Sequence, residues 1–130
     1  MQVAYGDHQV SMYSAAVEAR TAGASAHEPA LDINNNRSRD RNLFFGIPAI
    51  KRYPFGGSAI VIWDSGPGRV QPPPLANLAP VDNNTTNQDP HHDPRNTKAA
   101  RVQKSDFLSP NGKVVDVCGG KPCHTDVYVP

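Results

Sequence analysis

The chain has 130 residues, the size of a single domain, and a formal net charge of +1 at neutral pH. Leu, Ile, Val and Phe make up only 26 positions, whereas Pro and Gly make up 23, so apolar surface for a core is scarce. This composition argues against a helical bundle, a parallel α/β sheet and a coiled coil, because each needs long apolar periodicity. No apolar run approaches the ~18 residues of a membrane span. The balanced charge predicts no nucleic-acid partner.

Residues 1–70 are predicted to contain a helix followed by a short-strand region. Apolar residues recur at helical spacing between Asp7 and Ala22, and Asp7 can cap the start of that helix. A polar loop follows, in which the basic cluster of Arg37, Arg39 and Arg41 reads as a solvated flank. Two apolar runs, at 43–47 and 58–63, have the length of strands and predict a loose hairpin.

Residues 71–98 are rich in Pro and Asn and predict an extended arm or linker. Three consecutive prolines at 72–74 favour the polyproline II conformation. A stretch of this length without secondary structure argues against a compact domain. Intermittent apolar residues, such as Leu75 and Leu78, would anchor the arm on a neighbouring subunit.

Residues 99–130 are predicted to end in an antiparallel hairpin. Residues 99–108 indicate a short strand or a helical turn, and the apolar runs at 113–117 and 125–129 flank a loop at 118–124. The predicted fold is therefore mostly β with extensive irregular structure. It has one N-terminal helix, short antiparallel strands and a C-terminal hairpin.

The two cysteines of the chain, Cys118 and Cys123, are close together, and His124 follows the second directly. At the neck of a hairpin the two side chains would face each other within disulfide range, and the bond would staple the hairpin. A disulfide requires an oxidising compartment, which predicts an extracellular, virion or cell-surface location. Zinc would need His91 or His92 as a further ligand. Because ligation by adjacent Cys123 and His124 is awkward, no metal site is predicted.

The same segment resembles the long-spacer haem sites of multihaem c-type cytochromes, in which two cysteines and a following histidine hold the haem. The resemblance covers seven residues, with a spacer of four residues where two are usual. It implies a haem c attached through thioethers at Cys118 and Cys123, with His124 as an axial ligand. The candidates for the second axial ligand are His91, His92, His8, His27 and Met12.

His91, His92 and Asp93 form a second polar group, between Pro90 and Pro94. A catalytic site needs a rigid frame, and the surrounding sequence indicates none. Phosphate-loop and nucleophile-elbow patterns are absent. The sequence therefore predicts no catalytic residue and a protein that is not an enzyme.

The predicted function is a non-catalytic structural or accessory subunit of a larger assembly, such as a virion, a surface filament or an envelope complex. The scarce apolar residues, the extended arm and the thin Ala-rich helix favour it. Its partners would be protein subunits of the same or a larger assembly, to whose sheets its strands would add. No cofactor is predicted for this role. The alternative is an electron-transfer protein with a single c-type haem. A third hypothesis, a remote one, is a small enzyme that uses His91 or His92.

Overall fold

A computed structural model describes residues 1–32, 42–78 and 89–130. The secondary structure in these ranges runs β1 (Gln2–Ala4), α1 (Met12–Thr21), β2 (Ser25–Ala26), β3 (Ala59–Asp64), α2 (Asp93–Asn96), α3 (Lys98–Leu108) and β4 (Cys123–His124). Each of the other three strands pairs with β3, and all three pairings are parallel.

β3 is the central strand, and all six of its residues are buried. β1 pairs along one edge of β3, from Gln2 opposite Val61 to Ala4 opposite Trp63. β2 and β4 share the other edge, β2 at the start of β3 and β4 opposite its last two residues. A continuous apolar run is typical of a strand that is covered on both faces of a parallel sheet.

The side chains of β3 alternate between two hydrophobic clusters, one on each face of the sheet. Ile60 and Ile62 pack in one cluster with the buried alanines of α1. Val61 and Trp63 pack in the other cluster with Ala100 of α3. The fold is therefore a small α/β sandwich, with α1 on one face and α3 on the other.

α1 begins later than the sequence pattern predicts. The hydroxyl of Ser11 caps it by accepting a hydrogen bond from the backbone N–H of Tyr13 (3.3 Å). Asp7 instead holds the turn that precedes the helix, because its Oδ1 accepts from the backbone N–H groups of Gln9 (2.7 Å) and Val10 (3.0 Å). This leaves the other carboxylate oxygen of Asp7 available for a distant partner.

The predicted class, mostly β with short antiparallel strands, is wrong. The paired strands are parallel, and among the described residues helix is more abundant than strand, 23% against 14%. The composition argument against a parallel sheet failed because this sheet needs only one long apolar strand. Its neighbours are two or three residues long, and helices in the connections allow the chain to cross over between parallel strands.

The two predicted hairpins are also wrong for the described residues. Residues 42–46 form a turn, and 125–129 contain no strand. β4 lies at Cys123–His124, inside the predicted loop, and the backbone N–H of Thr125 continues along β3 by donating to the carbonyl of Asp64 (2.9 Å). Residues 99–108, predicted as a strand or a single helical turn, lie in the three-turn helix α3.

The cluster of Arg37, Arg39 and Arg41 lies outside the described residues. Residues 79–88 of the predicted arm at 71–98 also lie outside them. The described end of that arm contains α2 and the first residue of α3. The division at 1–70, 71–98 and 99–130 stays a prediction. In the described parts of the chain, no helix has the length and apolar character needed to cross a membrane.

Ile62→Ala should lower the free energy of unfolding by about 2–5 kcal/mol, because it opens a cavity beneath α1. Urea unfolding followed by the fluorescence of Trp63 measures this change. Val17→Ala is the control on the exposed face of α1, where the side chain is 53% accessible and a change within about 0.5 kcal/mol is expected. Equal losses in the two variants would contradict the central position of β3.

Candidate functional site

Polar residues gather where the parallel strands end. Asp7 follows β1, Ser65 follows β3 and Thr125 follows β4, and all three are buried. Because the strands are parallel, their carboxyl ends meet at one edge of the sheet. In open α/β sheets, ligands bind in the crevice outside this edge. This edge is therefore the candidate functional site.

Asp7 and His91 form a hydrogen-bonded pair at this edge. Oδ2 of Asp7 lies 2.8 Å from Nδ1 of His91. A carboxylate oxygen accepts hydrogen bonds, so Nδ1 of His91 donates, and in the neutral ring this tautomer has the lone pair on Nε2. Nε2 has no hydrogen-bond partner among the described residues. The arrangement is an oriented imidazole with its second nitrogen available for proton transfer.

Asp89 ties the segment that carries His91 to the turn that carries Asp7. Its carboxylate accepts from the backbone N–H groups of His91 (3.0 Å) and His8 (3.2 Å) and from the side-chain amide of Gln9 (2.9 Å). Burial alone would raise the pKa of Asp89, but these hydrogen bonds outweigh it and hold the pKa below its ordinary value. Asp89 therefore stays ionised and keeps the two segments together.

Gly6 allows the chain to turn directly from β1 into Asp7. Its φ is +75°, in the left-handed region, and a Cβ there would lie 2.5 Å from Cγ1 of Val70. A side chain at this position would thus meet both backbone strain and a close contact. The position of Asp7 depends on this glycine.

A second polar network, buried at Ser65, Asp93 and Thr125, lies next to this edge. The hydroxyl of Ser65 donates its only proton to Oδ2 of Asp93 (2.6 Å). Ser65 therefore accepts in its contact with Thr125, whose hydroxyl donates to it (2.9 Å). Arg69 binds the other carboxylate oxygen of Asp93 (3.2 Å). The network connects the ends of β3 and β4 to the start of α2, next to His91. Since Ser65 is completely buried and engaged, it is a structural residue rather than a nucleophile.

Ser65→Ala should lower the free energy of unfolding by about 1–3 kcal/mol, because it leaves the buried oxygens of Asp93 and Thr125 without a partner. Thermal or urea unfolding measures the loss. The matched control is Ser14→Ala, which removes an exposed hydroxyl that donates to Asn77 (3.0 Å) and should change stability by less than about 0.5 kcal/mol. A loss at Ser65 no larger than at Ser14 would be evidence against the network.

The sequence did not point to the Asp7–His91 pair. His91 was interpreted as a solvated loop residue, and Asp7 already had a local explanation as a helix cap. His92, its neighbour, is exposed and makes an edge contact with the ring of His91 at 4.9 Å. The available signal was the position of Asp7, three residues beyond the end of β1, where parallel sheets place functional groups.

The two cysteines form the predicted disulfide, with their Cα atoms 5.3 Å apart. It closes the loop that leads into β4 rather than the neck of a hairpin. Haem attachment would need both sulfurs as thioethers, and the disulfide uses both. His124 is exposed and stacks on Tyr128 at 3.9 Å. The disulfide is compatible with an extracellular location.

His27 lies beside the two cysteines, a position for which the sequence had no signal. One ligand atom of His27 and the two sulfurs all lie within 4.8 Å of one another. Nε2 of His27 donates to the carbonyl of Lys121 (2.9 Å), since a carbonyl only accepts. Burial, followed by the charge of Asp116, raises the pKa of Tyr53 to about 12, so its hydroxyl stays protonated and donates to Nδ1 (2.6 Å). With both ring nitrogens and both sulfurs engaged, this group is structural.

The other candidate ligands are not brought to the cysteines. His91 lines a cavity on the open side of β1, whereas Cys118 and His124 line a different cavity beside Trp63. Met12 is buried in the cluster between α1 and the sheet. His8 and His91 lie close together, joined through Asp89.

Reduction of the disulfide should lower the free energy of unfolding by about 2 kcal/mol, the chain-entropy value for a loop this short. The intact mass should increase by two hydrogen atoms on reduction, and urea unfolding with and without reductant measures the loss. The double variant Cys118→Ser/Cys123→Ser is the control, because reductant should leave its stability unchanged. A mass that does not respond to reductant would disprove the disulfide.

We compared the chain with protein-family models, with curated proteins and with solved structures, and none of these comparisons gave a match. A function for the chain therefore has to be inferred from its own side chains.

Proposed function

We propose that the Asp7–His91 pair is the acid–base part of a hydrolytic active site that acts on acyl compounds, with carboxylic esters as the substrate class. The observation that carries the proposal is the 2.8 Å hydrogen bond from Nδ1 of His91 to a buried carboxylate, at the carboxyl edge of a parallel sheet. The sequence favoured a non-catalytic role because nothing in it couples His91 to an acid. The contact with Asp7 supplies that coupling.

The pair would work by moving one proton. Nε2 of His91 takes the proton from a hydroxyl, thiol or water as its oxygen or sulfur attacks the substrate carbonyl. Asp7 holds the ring in the required tautomer and stabilises the imidazolium that forms. The same Nε2 then returns the proton to the leaving alcohol, which leaves His91 neutral. Where a side chain is the nucleophile, Nε2 next takes a proton from water as the water attacks the acyl group, and it returns that proton to the nucleophile as the carboxylic acid leaves.

The nucleophile is not among the groups bonded to His91. Within the described residues, no hydroxyl or thiol donates to its Nε2, so the attacking group is water or a side chain from another segment. In α/β-hydrolases the nucleophile comes first in the chain and the acid and base follow in that order, each after a strand. Asp7 and His91 have the same order, after β1 and β3. The choice of esters rests on this analogy of order.

This proposal retains part of the function expected from the sequence. A nucleophile supplied by another polypeptide would agree with the expectation of protein subunits as partners. We place the activity in an oxidising, extracellular setting because the disulfide would be reduced in the cytosol. The proposed role differs in being catalytic.

His91→Ala should reduce the protein-dependent hydrolysis of p-nitrophenyl acetate by at least about tenfold, because the proton acceptor is removed. Asp7→Asn should reduce it in the same direction, since a neutral amide cannot stabilise the imidazolium. Release of p-nitrophenolate, monitored by absorbance, gives the rates. Thermal unfolding of each variant shows that the loss is not one of folding.

His92→Ala is the matched control, because His92 is an exposed neighbour with no bond to a carboxylate among the described residues. Its rate should stay within about twofold of the parent rate, as expected for a histidine that is not oriented for proton transfer. Equal rates for the His91 and His92 variants, with both proteins folded, would refute the proposed function.

A further inference from the structure

We infer that the open edge of β1 is a docking site for an apolar β-strand that runs parallel to it and belongs to a polypeptide segment outside these 130 residues. The inference deepens the proposed function and rests on it in one respect, since the nucleophile would arrive with the segment that supplies this strand. Its structural basis is separate and lies in the backbone and the walls of the groove beside β1.

Half of the hydrogen-bonding groups of β1 point away from the sheet. The carbonyl of Met1 accepts from the backbone N–H of Val61, and the N–H of Tyr5 donates to the carbonyl of Trp63. The backbone N–H and carbonyl groups of the odd-numbered residues in this segment therefore face β3. Backbone groups alternate along a strand, so those of Gln2 and Ala4 face the opposite edge. Neither has a backbone hydrogen-bond partner in the described ranges. Ala4 is only 3% exposed, and unpaired backbone groups in such a place are costly.

The groove beside this edge has the size of a short strand. α1 and α3 cover opposite faces of the sheet, and both line a cavity of about 580 Å³ that runs along β1. Three or four strand residues, about 3.3 Å apart, in a layer about 4.8 Å wide and about 10 Å thick, occupy about 480–630 Å³. The volume of the cavity is therefore of the order of one added strand.

The walls determine the chemistry of the occupant. Val10 lines the cavity on the side of α1, and Phe107 and Leu108 line it on the side of α3, beside polar residues such as Glu18 and Lys104. Most of the lining surface is apolar, so each face of the added strand meets mainly apolar groups. A strand covered on both faces in this way has a continuous apolar sequence. Parallel direction follows from the rest of the sheet and brings the carboxyl end of the added strand to the edge that carries Asp7 and His91.

The test uses an acetylated and amidated peptide of five valines flanked by two lysines at each end, titrated into the ¹⁵N-labelled full chain. On binding, hydrogen exchange at the amides of Gln2 and Ala4 should slow by at least about tenfold, and their resonances should shift. The amide of Val3 already faces β3, so its exchange rate should not change in this way. The same peptide with proline as its central residue should not bind, because it cannot donate at that position.

Phe107→Asp should abolish these changes, because it places a charge in the wall of the groove. Val102→Asp is the matched control on α3, with a similar exposure (45% against 43%) and no contact with the cavity. Binding that survives Phe107→Asp in a folded protein would overturn the inference. Protection of Gln2 and Ala4 without peptide, increasing with protein concentration, would also overturn it, since the occupant would then be a second copy of the chain.

Peptide binding by the parent chain and ester hydrolysis by the His91→Ala variant separate this inference from the proposed function. Peptide binding is measured on the parent chain, because His91 itself lines the groove. Binding by the parent chain together with unchanged hydrolysis in the variant would refute the catalytic role and leave the docking site intact. Loss of hydrolysis in the variant with no peptide bound by the parent chain would refute the docking site alone.

Discussion

The complete burial of β3 is the constraint on which the rest of this structure depends. Six consecutive residues, Ala59–Asp64, are removed from water on both faces, which requires a helix over each face and a paired strand along each edge. α1 and α3 meet the first requirement, and β1, β2 and β4 meet the second. Scarce apolar residues suffice because they are concentrated in one strand. The flanking strands are short, and the alanines of α1 allow close approach.

Parallel pairing around β3 also explains where the polar chemistry lies. All carboxyl ends reach the same edge, and the chain returns to this edge after each strand. Asp7 arrives there through the turn at Gly6, and His91 arrives just before α2. The buried contacts of Ser65 with Asp93 and Thr125 hold the start of α2 in place. The oriented imidazole is thus a consequence of the sheet, held by groups that take no part in proton transfer.

The open edge of β1 and the proposed catalytic pair are two parts of one incomplete site. An imidazole–carboxylate pair needs a nucleophile, and a parallel strand with free backbone groups needs a neighbour. Both needs occur on the same side of the molecule, since His91 and Asp7 line the groove that runs along β1. The disulfide lies on the opposite edge of β3, next to β4. It stabilises a part of the fold that is remote from the proposed partner.

The sequence by itself determined the local features: an apolar run at the position of β3, an Ala-rich helix before residue 22, and two cysteines close enough to pair. It misjudged strand direction, because short apolar runs separated by Pro and Gly look alike in hairpins and in crossover connections. Only the tertiary structure joined Asp7 to His91, which are 84 positions apart. The local pattern assigned Asp7 to helix capping, and its second carboxylate oxygen acquires a role only when the parallel sheet brings the two strand ends together.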